Sequence, residues 1–342
     1  MSGQNIIVSH KEDIDGIVSA ALIKNFLLQN GLEPGRIETY LVDYPNYAKL
    51  LRKVACGNLS MIYIADLGLN EQIVNIIMEI PEEYFQNERL TIRYFDHHKI
   101  PGCLDNIGVQ INQRIDYHNP IDKKDFCTAE LIFDKLFHNT DYHFQLLSQY
   151  AHCSDFLCQW EGVNESIVES LRMYIVYYQE RMDMLIQLMD AMLLPETWEQ
   201  YQLTIKTESS NIAAWHQEQY DKILDSYLSY EYESLRFALS TAQCKPEEIT
   251  DYLIKHISGH DLYIGISTRT YYVNIKSNIE ISHKLAELYG GGGHSRRAGF
   301  KFPDKYLCNI NSQRDFKKQL LEFLKEIAKN YKKLSDIFLI SP

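Results

Sequence analysis

Short β-branched runs alternate with helically spaced apolar segments through the first hundred residues. The run IIVSH ends at the polar loop HKEDIDG, after which IVSAALIKNFLL repeats apolar residues at helical intervals. A second run, MIYIADLGL, precedes the helical pattern NEQIVNIIMEI, and a third, LTIRYFDHH, ends the same way. Strands that each terminate in Asp or His and are separated by helices predict a parallel α/β sheet. Ligands of such sheets gather at the carboxyl ends of the strands, so the polar residues there should converge although distant in sequence.

From Thr128 to Leu194 the pattern is mostly helical, and Pro195 interrupts it. A polar and aromatic stretch from Trp215 to Glu233 reads as a connecting helix. Beyond it LRFALST, LYIGIST and TYYVNIK read as strands, and IEISHKLAELYGGGGHSRRAGFKF as a helix, a Gly-rich turn and another strand. The expected architecture is α/β in two domains: a parallel-sheet domain over 1–195, a helical connector over 196–233 and a smaller α/β domain over 234–342. The length of 342 residues agrees with two domains.

Composition narrows the class. Apolar residues are 45% and charged residues 23%, with 9 Pro and 16 Gly, which is ordinary globular usage rather than a disordered or collagen-like one. No uninterrupted apolar stretch is long enough for a membrane span, and charge follows the first apolar run too soon for a secretory signal. The seven cysteines contain no Cys-x-x-Cys pair, so a reduced, cytoplasmic protein is expected. The net charge of −12 argues against broad binding of long nucleic acid. Its distribution is uneven: residues 261–342 carry 14 Lys and Arg against 8 Asp and Glu, residues 1–260 carry 20 against 38. An acidic site beside a basic one is what metal-assisted chemistry on a small anion needs.

His10, Asp13 and Asp15 share one loop, Asp66 follows the second strand, and Asp96, His97 and His98 follow the third. An Asp at a strand-to-helix junction is usually only a helix cap. A set this dense in carboxylates and imidazoles, with no thiolate, instead suits Mn²⁺ or another divalent cation. Two cations would divide the negative charge that makes neighbouring carboxylates costly.

SHKEDIDGIVSAAL, ADLG, FDHH and the late GGGGHSRRAGF, in this order, resemble the signatures of the DHH phosphoesterase superfamily with its DHH-associated C-terminal domain. Relatives of that kind include RecJ-like exonucleases, nano-RNases and cyclic dinucleotide phosphodiesterases. The resemblance implies two Mn²⁺ ions, with Mg²⁺ or Co²⁺ as substitutes. His10 and Asp13 would hold the first, Asp15 and His97 the second, and Asp66 would bridge them; AHCSDFLCQW supplies Asp155 as a further ligand of the second. Asp96 and His98 would act as catalytic supports, His98 bonding a phosphate oxygen. In many members three residues separate the first His and Asp, whereas only Lys11 and Glu12 intervene here, which leaves the branch open.

The glycine run Gly290–Gly293 goes beyond a helix cap, because it lets backbone N–H groups face an anion and is followed by His294, Arg296 and Arg297. By resemblance, Gly291, Gly292 and Gly293 hold a nucleotide, His294 reaches the scissile phosphate, and Arg269, Arg296 and Arg297 bind phosphates elsewhere. The aromatics of the middle region, Tyr174, Tyr178, Trp198 and Tyr201 among them, read as core or oligomer contacts, with a homodimer among the expected states. The expected activity is hydrolysis of short single-stranded RNA or DNA, or another nucleotide, to nucleoside monophosphates by metal-activated water. Alternatives are a cyclic dinucleotide or 3′-phosphoadenosine 5′-phosphate phosphoesterase, a RecJ-type exonuclease on single-stranded DNA, and a non-enzymatic nucleotide-sensing or replication subunit.

Overall fold

The three apolar runs do form neighbouring parallel strands. In the computed structural model, which describes residues 4–55, 59–86, 90–98, 114–119, 126–137, 141–156, 158–293, 295–307 and 312–340, the first sheet contains β1 (Gln4–His10), β2 (Ile37–Val42), β3 (Leu59–Ala65), β4 (Thr91–Phe95) and β5 (Ile115–His118). All pairings are parallel, and the order is β2-β1-β3-β4-β5. The central strands are apolar on both sides because both faces are covered. Ile7, Tyr63, Ala65 and Phe95 enter one core with helices α1 (Ile14–Gln29), α5 (Thr128–Leu136), α6 (Tyr142–Phe156), α7 (Glu165–Tyr178) and α8 (Met182–Ala191). Their neighbours Ile6, Val8, Ile62, Ile64 and Tyr94 enter the opposite core, whose helices include α2 (Tyr44–Ala55), α3 (Glu71–Glu79) and α4 (Glu82–Gln86).

Register brings the strand ends level. Ser9 pairs with Ala65, Ala65 with Phe95, and Phe95 with His118, so His10, Asp66 and Asp96 leave the sheet along one edge. The chain reverses sharply after β1. Asp13 caps α1 by accepting from the Gly16 N–H at 3.0 Å. The Ser9 hydroxyl lies 2.7 Å from the Gly16 carbonyl oxygen and 3.3 Å from that of Ala65. A β-carbon at Gly16 would sit 2.2 Å from the His10 carbonyl oxygen, so only glycine allows α1 to start this close to the end of β1.

The chain divides into two compact units, residues 1–212 and 213–342, with the boundary inside α9 (Pro195–Asp225). The second unit has a six-stranded sheet of order β10-β11-β9-β8-β7-β6, made of β6 (Leu228–Tyr232), β7 (Leu235–Ala242), β8 (Leu262–Ser267), β9 (Tyr272–Ser277), β10 (Gly292–Gly293) and β11 (Arg297–Lys301). β7 and β8 are parallel, joined through α10 (Pro246–His256); the other pairs are antiparallel. α11 (Ser282–Glu287) and α12 (Gln313–Ile340) pack on one core of this sheet. Two local expectations change. The helix expected to run to Glu233 ends at Asp225, and residues 228–232 form edge strand β6 instead, where alternate half-buried and exposed positions blur the helical pattern. Gly292 and Gly293, expected in a turn, pair with Gly299 and Ala298 of β11.

The Gly16 contact makes a direct prediction. Gly16→Ala should lower the stability of the first unit by about 2–4 kcal/mol through overpacking against backbone. Gly35→Ala, where a β-carbon meets nothing within 4 Å, should leave it nearly unchanged. Denaturant titration of both variants checks this, and equal midpoints would show that the reversal after β1 is not sterically constrained.

Candidate metal centre

Each acidic or imidazole group at the sheet edge is held by the element that delivers it. His10 closes β1, and its Nδ1 donates to Asp13 Oδ2 at 2.7 Å. Asp15, wholly buried in the first turn of α1, accepts the Thr128 N–H at 2.8 Å on one oxygen and the Ala129 N–H at 2.7 Å on the other. Asp66 follows β3 in the left-handed conformation with φ 55°, a costly backbone state for a non-glycine residue that aims its carboxylate between two histidines. Its Oδ2 is 3.6 Å from His10 Nδ1 and its Oδ1 is 3.5 Å from His97 Nε2. His97 Nε2 also lies 3.5 Å from Asp155 Oδ2, at the end of α6, and 3.9 Å from Asp15 Oδ2. His98 Nδ1 donates to buried Asp96 at 2.7 Å.

The result is three overlapping sets whose donor atoms lie within 4.8 Å of one another: His10, Asp13 and Asp66; Asp15, His97 and Asp155; Asp66, His97 and His98. Asp66 and His97 each belong to two sets. Such sets could hold divalent cations. Two donors that each contact a cation at roughly 2.0–2.2 Å lie about 3–4 Å apart, which is the separation seen around Asp66 and His97.

Electrostatics points the same way. Burial, reinforced by the Asp66 charge, pushes the Asp15 carboxyl up to about 7. Burial with Asp15, Asp66 and Asp13 also raises Asp155 well above the usual carboxylate range. Burial alone would lower His97, but Asp66, Asp15 and Asp155 drive it up to about 10. His10 is raised in the same way by Asp13 and Asp66 against its own burial. Burial would raise Asp66, yet bonds from His10 and His97 and the charge of His98 hold it well below the usual range. His10, His97, Asp15 and Asp155 thus hold protons more tightly than usual, and a cation bound among them would have to displace those protons.

All eight first-unit site residues read from the sequence therefore meet here: His10, Asp13, Asp15, Asp66, Asp96, His97, His98 and Asp155. Sequence reasoning missed Thr128, whose N–H holds Asp15 and whose hydroxyl donates to Asp66 at 3.3 Å. The capping pattern C-T-A-E marks the start of its helix but not the distant carboxylate that this start binds. It also missed Asn119, which donates to the His98 carbonyl at 2.9 Å, and Lys11, whose Nζ lies 3.3 Å from Asp43.

The second unit distributes its expected substrate residues along a ribbon. Arg297 pairs with Lys276 and Lys301 with Tyr272, so Arg269, in the turn before β9, lies toward the other end of β9 from Arg297. At about 3.3 Å per residue the four-residue offset between Tyr272 and Lys276 is roughly 13 Å. Arg296 is exposed and 3.6 Å from Glu280. A β-carbon at Gly291 would lie 2.1 Å from the Gly299 carbonyl oxygen, and Gly293 has φ 140°, so both glycines have packing reasons, whereas a β-carbon at Gly292 meets nothing within 4 Å. His294 lies outside the described residues.

Residues 4–154 match the model of the DHH family, N-terminal domain. No curated protein sequence matches the chain. Among solved structures, RecJ from Thermus thermophilus in complex with Mn²⁺ superposes with a TM-score of 0.58 at 12% identity, covering 95% of this chain and 52% of that one. The chain thus spans about half the length of that RecJ. The exonuclease RecJ bound to manganese gives 0.50 at 14% identity, covering 95% and 90%. A protein of uncharacterised function from Helicobacter pylori gives 0.41 at 18% identity, covering 94% and 99%. At these identities the likeness to the two RecJ structures speaks for the fold alone. The family match assigns residues 4–154 to the DHH family, N-terminal domain, and the edge of carboxylates and imidazoles is built largely from residues of that segment.

Proposed function

We propose that the protein hydrolyses short single-stranded oligonucleotides to nucleoside monophosphates, using two Mn²⁺ ions. His10 and Asp13 would hold one ion and Asp15, His97 and Asp155 the other, with Asp66 available to both. The observation that carries this reading is the Asp66 carboxylate, with one oxygen toward His10 and the other toward His97. Nitrogen and oxygen donors without thiolate fit Mn²⁺, with Mg²⁺ or Co²⁺ as substitutes. Bound divalent cations supply Lewis acidity and a lowered water pKa at such a site.

The protein's own groups do the rest. Thr128 and Ala129 orient Asp15, so its oxygens need no reorganisation. Asp96 orients His98 and, against burial, raises its pKa, on a ring whose side chain is 43% exposed. A ring N–H held in this way can donate to the oxygens of a phosphate on which negative charge builds. The second unit supplies nucleotide binding through Gly291, Gly292, Gly293 and His294, with Arg269, Arg296 and Arg297 on phosphates. Its arginines stand in a chain of net charge −12, which favours a short anionic ligand over a long one.

A product time course on 5′-labelled dinucleotides, 24-mers, cyclic dinucleotides and 3′-phosphoadenosine 5′-phosphate tests the substrate. Dinucleotides should be cleaved at least as efficiently as 24-mers and with a shallow salt dependence; preference for long strands with a steep salt slope would replace this reading by a RecJ-type one.

Asp66→Asn should reduce turnover by at least about a thousandfold, the scale of losing several kcal/mol of metal-assisted stabilisation, and lower the Mn²⁺ content of a folded protein. Full Mn²⁺ content and activity in this variant would contradict the bridge. Arg297→Ala should mainly raise KM, as expected for binding shared by ground and transition states, while His294→Ala should lower kcat by roughly a hundredfold. Unchanged steady-state kinetics in both would make the loop purely structural.

Metal binding should release protons. His10 and His97 are raised above the ordinary histidine value, His97 to about 10, and must lose their protons to become ligands. Mn²⁺ affinity should therefore rise with pH from neutrality toward that value. Calorimetry in buffers of different ionisation enthalpy measures the release; a proton count of zero at pH 7 would remove these histidines from the ligand set.

A further inference from the structure

Asp15 and Asp155 reach His97 from different helices, and one carboxylate joins the supports of both. Asp15 is held by the Thr128 and Ala129 N–H groups in the first turn of α5. The same turn is closed by Glu130, whose Oε2 accepts the Cys127 N–H at 3.0 Å. That oxygen also accepts from His152 Nδ1 at 2.7 Å. His152 lies on α6 three residues before Asp155, so both project from the same side of that helix. Its ring packs against Phe156 at 4.7 Å and edge-on to Trp160 at 4.6 Å between centroids. Glu130 and His152 are each about one-tenth exposed in their side chains, so their bond is shielded from competing water.

We propose that Glu130 and His152 are positioning residues that set the spacing of Asp15 and Asp155 and so assemble the second cation site. Neither residue belongs to any of the three donor sets. The His10, Asp13 and Asp66 set rests on β1, β3 and the turn into α1, and meets the turn that Glu130 closes only through the Thr128 hydroxyl on Asp66 at 3.3 Å, whereas Asp15 is held there by two backbone N–H groups. Loss of the Glu130–His152 bond should therefore act mainly on one cation. A residue that merely stabilises the fold would weaken both sites together, or neither.

The inference rests on the two-cation reading above, and the experiment separates the two. Mn²⁺ is titrated calorimetrically into the wild-type full chain and into His152→Phe, which keeps an aromatic ring and removes the donor. Glu130→Ala and the double variant complete the cycle. Wild type should show two binding steps. In His152→Phe and in Glu130→Ala one step should lose at least tenfold in affinity while the other changes much less. The double variant should be no worse than the worse single one, because the two groups act as a unit. Circular dichroism confirms folding, and Glu130→Gln, which keeps an acceptor for the Cys127 N–H, should bind the second ion better than Glu130→Ala. Two wild-type steps with equal losses at both sites, no loss in any folded variant, or additive losses in the double variant overturn the positioning role. A single step or none in the wild type overturns the two-cation reading, and the positioning role with it.

Discussion

The structure depends on how negative charge is tolerated at one edge of a parallel sheet. Asp13, Asp15, Asp66 and Asp155 converge there with three of them largely buried, and like charges this close cannot all remain ionised without positive partners. The neighbouring carboxylates raise His10 and His97 against their own burial, and burial with those same charges raises Asp15 and Asp155, so each of these groups holds a proton more tightly than usual. Desolvating unpaired charge costs several kcal/mol, so this edge is a poor contributor to stability and is intelligible as a cation cradle. The fold supplies what the cradle needs: level strand ends, a glycine that lets α1 start against His10, and a helix N-terminus aimed at Asp15.

That arrangement links sequence to chemistry through backbone geometry. Ser9, Ala65 and Phe95 lie in register, and the residue after each of them is therefore a site residue. Asp66 takes a left-handed conformation immediately after β3, and its two oxygens consequently face different histidines.

The parts legible in the sequence are those where local pattern and function coincide. β1, β3 and β4 are apolar runs that end in Asp or His, and the glycine loop follows a recognisable helix. β2 and β6 were not legible, because edge strands with half-buried positions lack the uniform apolar signature, and the four residues of β5 are too few to show one. Thr128 escaped notice because its partner Asp15 is 113 positions away and the contact is made by backbone, which carries no residue signature. The Glu130–His152 bond is hidden for the same reason: Glu130 reads locally as a helix-capping residue, and only the packing of α5 on α6 gives it a second partner. The arginines were legible as charge but not as arrangement, since register spreads Arg269 and Arg297 along β9.

The central claim is that the Asp66 carboxylate is shared by two cations. Diffraction from crystals soaked in Mn²⁺, recorded at the manganese absorption edge, addresses it without reference to substrate. Two anomalous peaks should appear at the carboxyl edge of the first sheet, one beside His10 and Asp13 and the other beside Asp15, His97 and Asp155, with Asp66 in contact with both. A single peak, or two peaks of which one does not touch Asp66, would contradict the account.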